Sequence, residues 1–306
     1  VVAFLVALAA IVGGLAAIGG SDTVPFLSTP QIARITVSGF ITEDRDTTAM
    51  LNRIASDDAV KGVVVAIDST GGATSGGEAL YEGLRKIAAK KPTVATISTF
   101  GASAAYMAAI ATDHIIARRT SITGSIGVIF QYPQISELLK KIGVDVVDIK
   151  SAPLKAEPNP FTPPSPEATQ VVQGLVKDTF DWFVDIVAER RNLPRQVVVS
   201  LADGRIYTGR QALGARLIDE IGGEEAALGW LGSKGVNAKL PIKDWAPRKP
   251  RGGILSYANA ALLWVVQQVG IAPSILPSSV IDRVLPESLK LDGLLSVWQG
   301  SSGTGK

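Results

Sequence analysis

The sequence predicts an α/β protein with a mainly parallel sheet, and three observations carry that expectation. First, segments rich in β-branched residues alternate with segments whose apolar residues recur at helical spacing. Second, stretches such as "VKGVVVAIDSTGG" (60–72) are continuous apolar runs of the kind found in strands buried on both faces. Third, strand, helix, strand and helix follow one another at lengths that suit parallel strands joined by helical crossovers. The 306 residues suffice for one large or two ordinary domains with a substantial core.

Taken in order, the chain opens with "VVAFLVALAAIVGGLAAIGG", apolar or small throughout residues 1–20, with the first charge at Asp22. About 20 such residues match the length of helix that crosses a bilayer. A retained membrane anchor is therefore expected, with a secretory signal as the alternative. A polar linker (21–32) follows, and "QIARITVSGFI" (31–41) alternates as a strand does. After the second strand, "GGEALYEGLRKIAAKK" (76–91) places Leu80, Leu84 and Ile87 on one helical face. "PTVATIST" (92–99) is the third strand and leads into "FGASAAYMAAIA" (100–111), a helix-like segment built almost wholly of alanine. "DHIIAR" (113–118), "GSIGVIF" (124–130) and "DVVDIK" (145–150) have strand character, and "PQISELLKKIGV" (133–144) reads as a helix.

Residues 151–166 hold six of the 17 prolines and are expected to run extended on the surface. Ser165 and Pro166 read as the cap and first position of a long helix ending near Asn192. A basic Pro/Gly linker, "KDWAPRKPRGG", precedes the apolar segment 254–276, which suits a core helix, an oligomer contact or an interfacial helix. The tail from residue 299 is expected to be disordered.

Composition narrows the chemistry. With 30 basic and 28 acidic residues the charge is nearly balanced, which argues against a nucleic-acid partner. The absence of cysteine removes thiolate nucleophiles, disulfides and Cys-based zinc sites together. One histidine, His114, leaves a single candidate for imidazole-based acid–base work, and a structural role suits it better at the start of an apparent strand.

Ser103 is the residue that raises a question. It stands between a β-branched run and a helix, where it serves either as an N-cap or as a nucleophile at a strand-to-helix turn. A nucleophilic hydroxyl needs a base, and with His114 set aside the remaining choice is an unprotonated lysine. Holding lysine neutral at pH 7 takes roughly 3.4 pKa units, or about 4.6 kcal/mol, which only burial among apolar groups supplies.

The ordered motifs "IDSTGG" (67–72), "FGASAAYMAA" (100–109), "SITGSIGVI" (121–129), "IKSAPLKAEPNPF" (149–161) and "GRIYTGRQALGARLIDEIGG" (204–223) resemble the signal peptide peptidase A family. These are membrane-anchored bacterial serine proteases with a Ser–Lys dyad, and the resemblance covers roughly residues 33–230. It implies a fold like that of the Clp protease subunit and the crotonases, with repeated β-β-α units. It also implies Ser103 as nucleophile, Lys155 as general base, Ser125 as the serine that orients the lysine, and Gly72 as an oxyanion donor through its backbone N–H. Ala104, next to the nucleophile, is placed to give a second N–H. Lys150 is the rival base. The chain has Ala104 and Ala105 where the family commonly has two glycines, so two added methyls are expected to narrow the cleft. Ser69-Thr70 likewise stands where Ser-Pro is usual, and Ala215-Arg216 where Gly-Leu is common.

The resemblance further implies peptide substrates of the remnant-signal-peptide class, no cofactor and no metal. It implies a ring-like homo-oligomer in which neighbouring subunits share a site, and a single-pass location in the bacterial cytoplasmic membrane with the catalytic part on the extracytoplasmic side. The resulting plan is an anchor at 1–20, a linker at 21–32, a protease domain at 33–235, a C-terminal extension at 236–298 and a tail. The alternatives are a crotonase-fold enzyme acting on acyl-thioesters, which lacks a recognisable CoA site here, and a weakly active protease-like scaffold subunit. An aspartic protease is the weakest reading, because "DSTG" at Asp68 misses the required pattern and has no second copy.

Overall fold

Period-2 side-chain alternation in the first strands decides how the layers assemble. The computed structural model describes residues 29–247 and 295–297. The apolar run at 1–20, the segment 254–276 and the tail from 299 lie outside the described residues. Strand β1 (Gln31–Ile41) is followed by α1 (Arg45–Ser56), β2 (Val60–Ala73), α2 (Thr74–Ala88), β3 (Thr93–Ala102), α3 (Ala104–Ile110) and β4 (His114–Ala117). β1 pairs with β2, β2 with β3, and β3 with β4, all in parallel.

Ile32, Val64, Val94 and Ile116 point to one face of this sheet, where they pack with Ala227, Leu231 and Val236. Their chain neighbours Ala33, Val63, Val65, Ala95 and Ile115 point to the other face and join the main core with α1, α2 and α3. Helices thus cover both faces, which is why these strands lack a polar side. The result is a mixed α/β fold with a mainly parallel sheet, as the sequence predicts.

The rest of the chain completes the layers. β5 (Ile122–Gly124), α4 (Ser136–Lys141), α5 (Pro166–Arg191), α6 (Arg195–Leu201), β6 (Ile206–Thr208) and α7 (Gly209–Gly214) come next. They are followed by β7 (Glu220–Ile221), α8 (Glu224–Ser233) and β8 (Ile242–Trp245), and β9 (Leu295–Val297) ends the described chain. β8 adds in parallel to β1, so residues read from the sequence as part of a C-terminal extension belong to the same sheet. Ser165 caps α5 by accepting from the Ala168 N–H, as the Ser-Pro signal predicts. α5 is buried mainly toward its C-terminal end, through Phe183, Val184, Ile186 and Val187, with Ala168 buried in its first turn.

Two strand assignments differ from the sequence reading. The strand expected at 124–130 lies earlier, at Ile122–Gly124, because positive φ at Gly124 and at Ser125 turns the chain out of the ladder. Residues 145–150 form no strand. Their β-branched residues suit a strand, but among the described residues none pairs with them, and Val147 is 83% exposed and Ile149 fully so. Among the described residues no helix is long and apolar enough to cross a membrane.

Candidate active site

The site forms where β3 changes partners. β4 pairs with β3 along residues 94–97, and β5 takes over along residues 100–102. The switch is held by Ser121, whose hydroxyl donates to the Ile97 carbonyl at 3.0 Å and accepts from the Arg118 N–H at 3.0 Å. Beyond the switch, β3 runs straight into the turn that carries Ser103. Carboxyl ends of parallel strands, at such a change of strand order, are the usual place for a site in α/β proteins.

Ser103 sits at φ 60°, ψ −122°, a conformation that L-residues rarely adopt. Its side chain makes no cap hydrogen bond to the helix that follows, so the N-cap reading of this serine does not account for it. The backbone holds the turn instead: the Ser103 N–H donates to the Gly124 carbonyl at 2.8 Å, and the Ser103 carbonyl accepts from Tyr106 at 2.9 Å and Met107 at 3.1 Å. The residue is 1% exposed. Because its N–H is tied to Gly124, Ser103 lies beside Ser125, which is also buried, also at positive φ, and donates its own N–H to the Arg205 carbonyl at 2.8 Å.

The two glycines of "STGG" are required for different reasons. Gly71 has φ +113°, which glycine adopts without strain. Gly72 faces β1 so closely that a Cβ there would lie 2.1 Å from the Ile41 carbonyl oxygen. Sequence reasoning missed the residue that fixes this turn. The Ser69 hydroxyl, 2% exposed, donates to the Gly39 carbonyl at 2.6 Å and accepts from the Gly71 N–H at 3.1 Å. A small hydroxyl residue just ahead of a glycine pair is a recognisable turn signal that could have found it. Asp68 contributes as well, accepting from the Phe100 N–H at 3.0 Å and tying the end of β2 to the strand that leads to Ser103.

Ala104 and Ala105 are fully buried and belong to the main core. Their methyls pack inward, and a Cβ added at Gly77 of α2 would come within 3.0 Å of the Ala104 Cβ. They do not line a cleft, which corrects the expectation that they narrow one. The far end of α3 is held by two arginines: Arg85 donates to the Ala111 carbonyl, and Arg190 to the carbonyls of Ile110 and Thr112. An open cleft of about 640 Å³ starts two residues beyond Ser125, lined by residues 127–130 together with Val172, Val176 and Phe180 of α5.

Ser103, Ser125, Ala104 and the Gly71–Gly72 turn therefore gather at one end of the sheet, and Lys155 is not among them. It lies in an exposed turn, next to Ala156 at φ 60°, and its ammonium has no ion pair among the described residues. Lys150 is engaged instead. It donates to Glu157 at 2.5 Å and pairs with Asp148 at 3.2 Å, and these hydrogen bonds, Glu157 first, hold its ammonium above the ordinary lysine range. Favouring the charged form is the reverse of what a general base needs. His114 is occupied too: its ring stacks on Trp230 at 5.0 Å and faces Glu220 at 3.2 Å and Asp219 at 3.8 Å, which makes it a brace between β4 and α8.

A strained, buried serine at the carboxyl end of a parallel strand, with a tight glycine turn beside it, is the arrangement expected of a hydrolase that works through a hydroxyl nucleophile. Comparison with known proteins is more specific. The model of peptidase family S49 matches residues 85–238, half of the chain, and the chain belongs to that family. A Synechocystis protein named "Putative protease" is 36% identical over 248 residues, covering 80% of this chain and 90% of its own length. A Methanocaldococcus jannaschii protein, also named "Putative protease", is 38% identical over 179 residues, and the chain spans 58% of its length. An Enterococcus faecium protein named "Putative signal peptide peptidase SppA" is 35% identical over 217 residues, and the chain spans 62% of its length. Among solved structures, a membrane-bound stomatin-specific protease aligns with 72% of this chain at 14% identity and a TM-score of 0.49.

Proposed function

We propose that the protein is a serine endopeptidase in which Ser103 is the nucleophile and Lys155 the general base. The observation that carries this reading is the buried Ser103 at positive φ, which a helix cap does not need. In the proposed reaction the Ser103 Oγ attacks the scissile carbonyl carbon while its proton passes to the Lys155 Nζ. The backbone N–H groups of Gly72 and Ala104 receive the oxyanion, and Ser125 orients the amine. Lys155 then hands the proton to the leaving amine, and water releases the acyl group by the same steps in reverse order.

Lys155 is exposed within one chain, whereas a lysine base must be desolvated. The exposed apolar residues of the segment 138–154 that leads to it support a second copy as the cover. Leu138, Ile142, Val147, Ile149 and Leu154 are all exposed, a density of large apolar side chains that marks an interaction surface. The reading is therefore a homo-oligomeric ring in which one subunit lends Lys155 to the Ser103 of its neighbour. Substrates are extended peptides with small apolar residues, remnant signal peptides among them, on a fold of the Clp protease and crotonase kind. Residues 1–20 are proposed as a single-pass anchor in the bacterial cytoplasmic membrane, with the catalytic part outside the cytoplasm.

Complementation tests the shared site. Ser103→Ala and Lys155→Ala proteins are each expected to leave a fluorogenic peptide of small apolar residues uncleaved. Mixing and reassembling them restores up to about one quarter of wild-type turnover, the share of interfaces that pair an intact serine with an intact lysine. Near-wild-type turnover by Lys155→Ala would refute the dyad, and inactive single variants with no gain on mixing would refute the sharing.

A further inference from the structure

The described chain ends in a strand that lies at the candidate site. β9 pairs antiparallel with the end of β2, with Val297 opposite Gly71, Ser296 opposite Gly72 and Leu295 opposite Ala73. The strand order fixes the side on which it sits. β1 accompanies one flank of β2 as far as Ile41 opposite Gly72, so that flank is filled. On the other flank the pairing of β2 with β3 ends at Ser69 opposite Gly101, two residues before Ser103. Past residue 69, β2 therefore has an open flank on the side of the Ser103 turn, and β9 occupies it.

We propose that the segment around residues 295–297 is a built-in competitor, which adds as a strand to the peptide-binding edge of its own chain at residues 71–73. The proposal rests on the peptidase reading for its consequence, though not for the docking itself. An extended peptide that presents a carbonyl to the Gly72 N–H must run along this same edge, because the other flank of β2 is taken by β1. Substrate and β9 exclude each other. The tail also has the composition of the proposed substrates: "LLSV" at 294–297 is small and apolar, with no charge between Asp292 and Lys306. Tethering makes such a segment an effective competitor, since a covalently linked ligand acts at a local concentration far above that of a free peptide.

The test keeps the full chain and removes ladder donors with proline, which cannot give an N–H to a neighbouring strand. Ser296→Pro and Leu295→Pro/Val297→Pro between them remove every donor of the segment. Both are expected to lower KM for the fluorogenic peptide about threefold or more with kcat unchanged, as loss of a tethered competitor requires. A synthetic peptide of residues 291–300 should restore the higher KM competitively. Unchanged KM in both variants overturns the competition. Amide exchange at residues 71–73, read in the Ser103→Ala background, separates docking from catalysis. Faster exchange on proline substitution supports β9 docking even if no protein cleaves the peptide, and unchanged exchange overturns the proposal even if the peptidase reading stands.

Discussion

Ser69→Ala isolates the turn that presents Gly72. The substitution keeps the Cβ and deletes one oxygen, so it removes the donor to Gly39 and the acceptor for Gly71 while opening almost no cavity. A buried amide left without its partner costs about 1–3 kcal/mol. Since Ser69 is 2% exposed, water cannot readily replace the hydroxyl, and about 2 kcal/mol is expected. For a domain of this size that lowers Tm by about 4 to 8 °C. The catalytic effect is separable from the stability loss. Deleting an oxyanion donor outright costs about 100- to 1,000-fold in kcat, so a donor held less firmly should cost about 10- to 100-fold, with KM little changed. Urea unfolding followed by circular dichroism gives the midpoint at constant slope, and peptide hydrolysis below the melting range gives kcat and KM. An unchanged midpoint, or a rise in KM with kcat intact, would refute the reasoning.

Three further outcomes follow from neighbouring contacts. Gly72→Ala should abolish activity and lower the unfolding midpoint, because its Cβ would meet the Ile41 backbone oxygen at 2.1 Å and nitrogen at 2.4 Å, and neither can yield without moving β1. Asp219→Asn should cost about 3 kcal/mol at neutral pH by leaving the nearly buried Arg191 guanidinium without its paired carboxylate. Burial opposes the charge on Asp219, yet the Arg191 hydrogen bonds and charge and the Ile115 N–H outweigh it and hold the carboxyl below its ordinary range. Its stabilising contribution is therefore present above about pH 4 and lost as pH falls through the lower folded value, so urea midpoints of wild type and Asp219→Asn should converge in acid. Ile149→Asp, at a fully exposed apolar position, should leave the monomer's stability unchanged and shift sedimentation toward the monomer; an unaltered assembly would remove residues 145–149 from the interface.

The parallel sheet was legible because its strands are buried on both faces, and burial leaves a continuous apolar signature that survives in one sequence. Val63, Val64 and Val65 could be assigned to a strand without knowing which face each meets, and the structure sends Val64 one way and its neighbours the other. Residues 145–150 show the opposite case, where β-branched composition was present but no strand among the described residues pairs with them. The Ser103 turn was legible as a strand-to-helix junction, but its positive φ was not, since nothing in "GASAA" distinguishes a capping serine from a strained one. The support given by Ser69 and Asp68 also escaped notice, because each acts across about thirty residues of chain on a backbone atom, a relation that spacing does not encode.

The alanines behind Ser103 draw these threads together. Every residue of α3 is buried, so the helix that follows Ser103 is a core element with no solvent face. Small side chains there set how closely α2 can approach: a Cβ on Gly77 would stand 2.6 Å from the Met107 Sδ and 3.0 Å from the Ala104 Cβ. α2 begins immediately after β2, so its seating against α3 also sets where the Gly72 turn lies relative to Ser103. The other end of α3 is fixed by Arg85 from α2 and Arg190 from α5, which grip its last carbonyls. Methyl groups at 104 and 105 thus act on the distance between Ser103 and the Gly72 turn through the packing of two helices. Enlarging them should move kcat by changing that distance before it changes the fit of any substrate side chain.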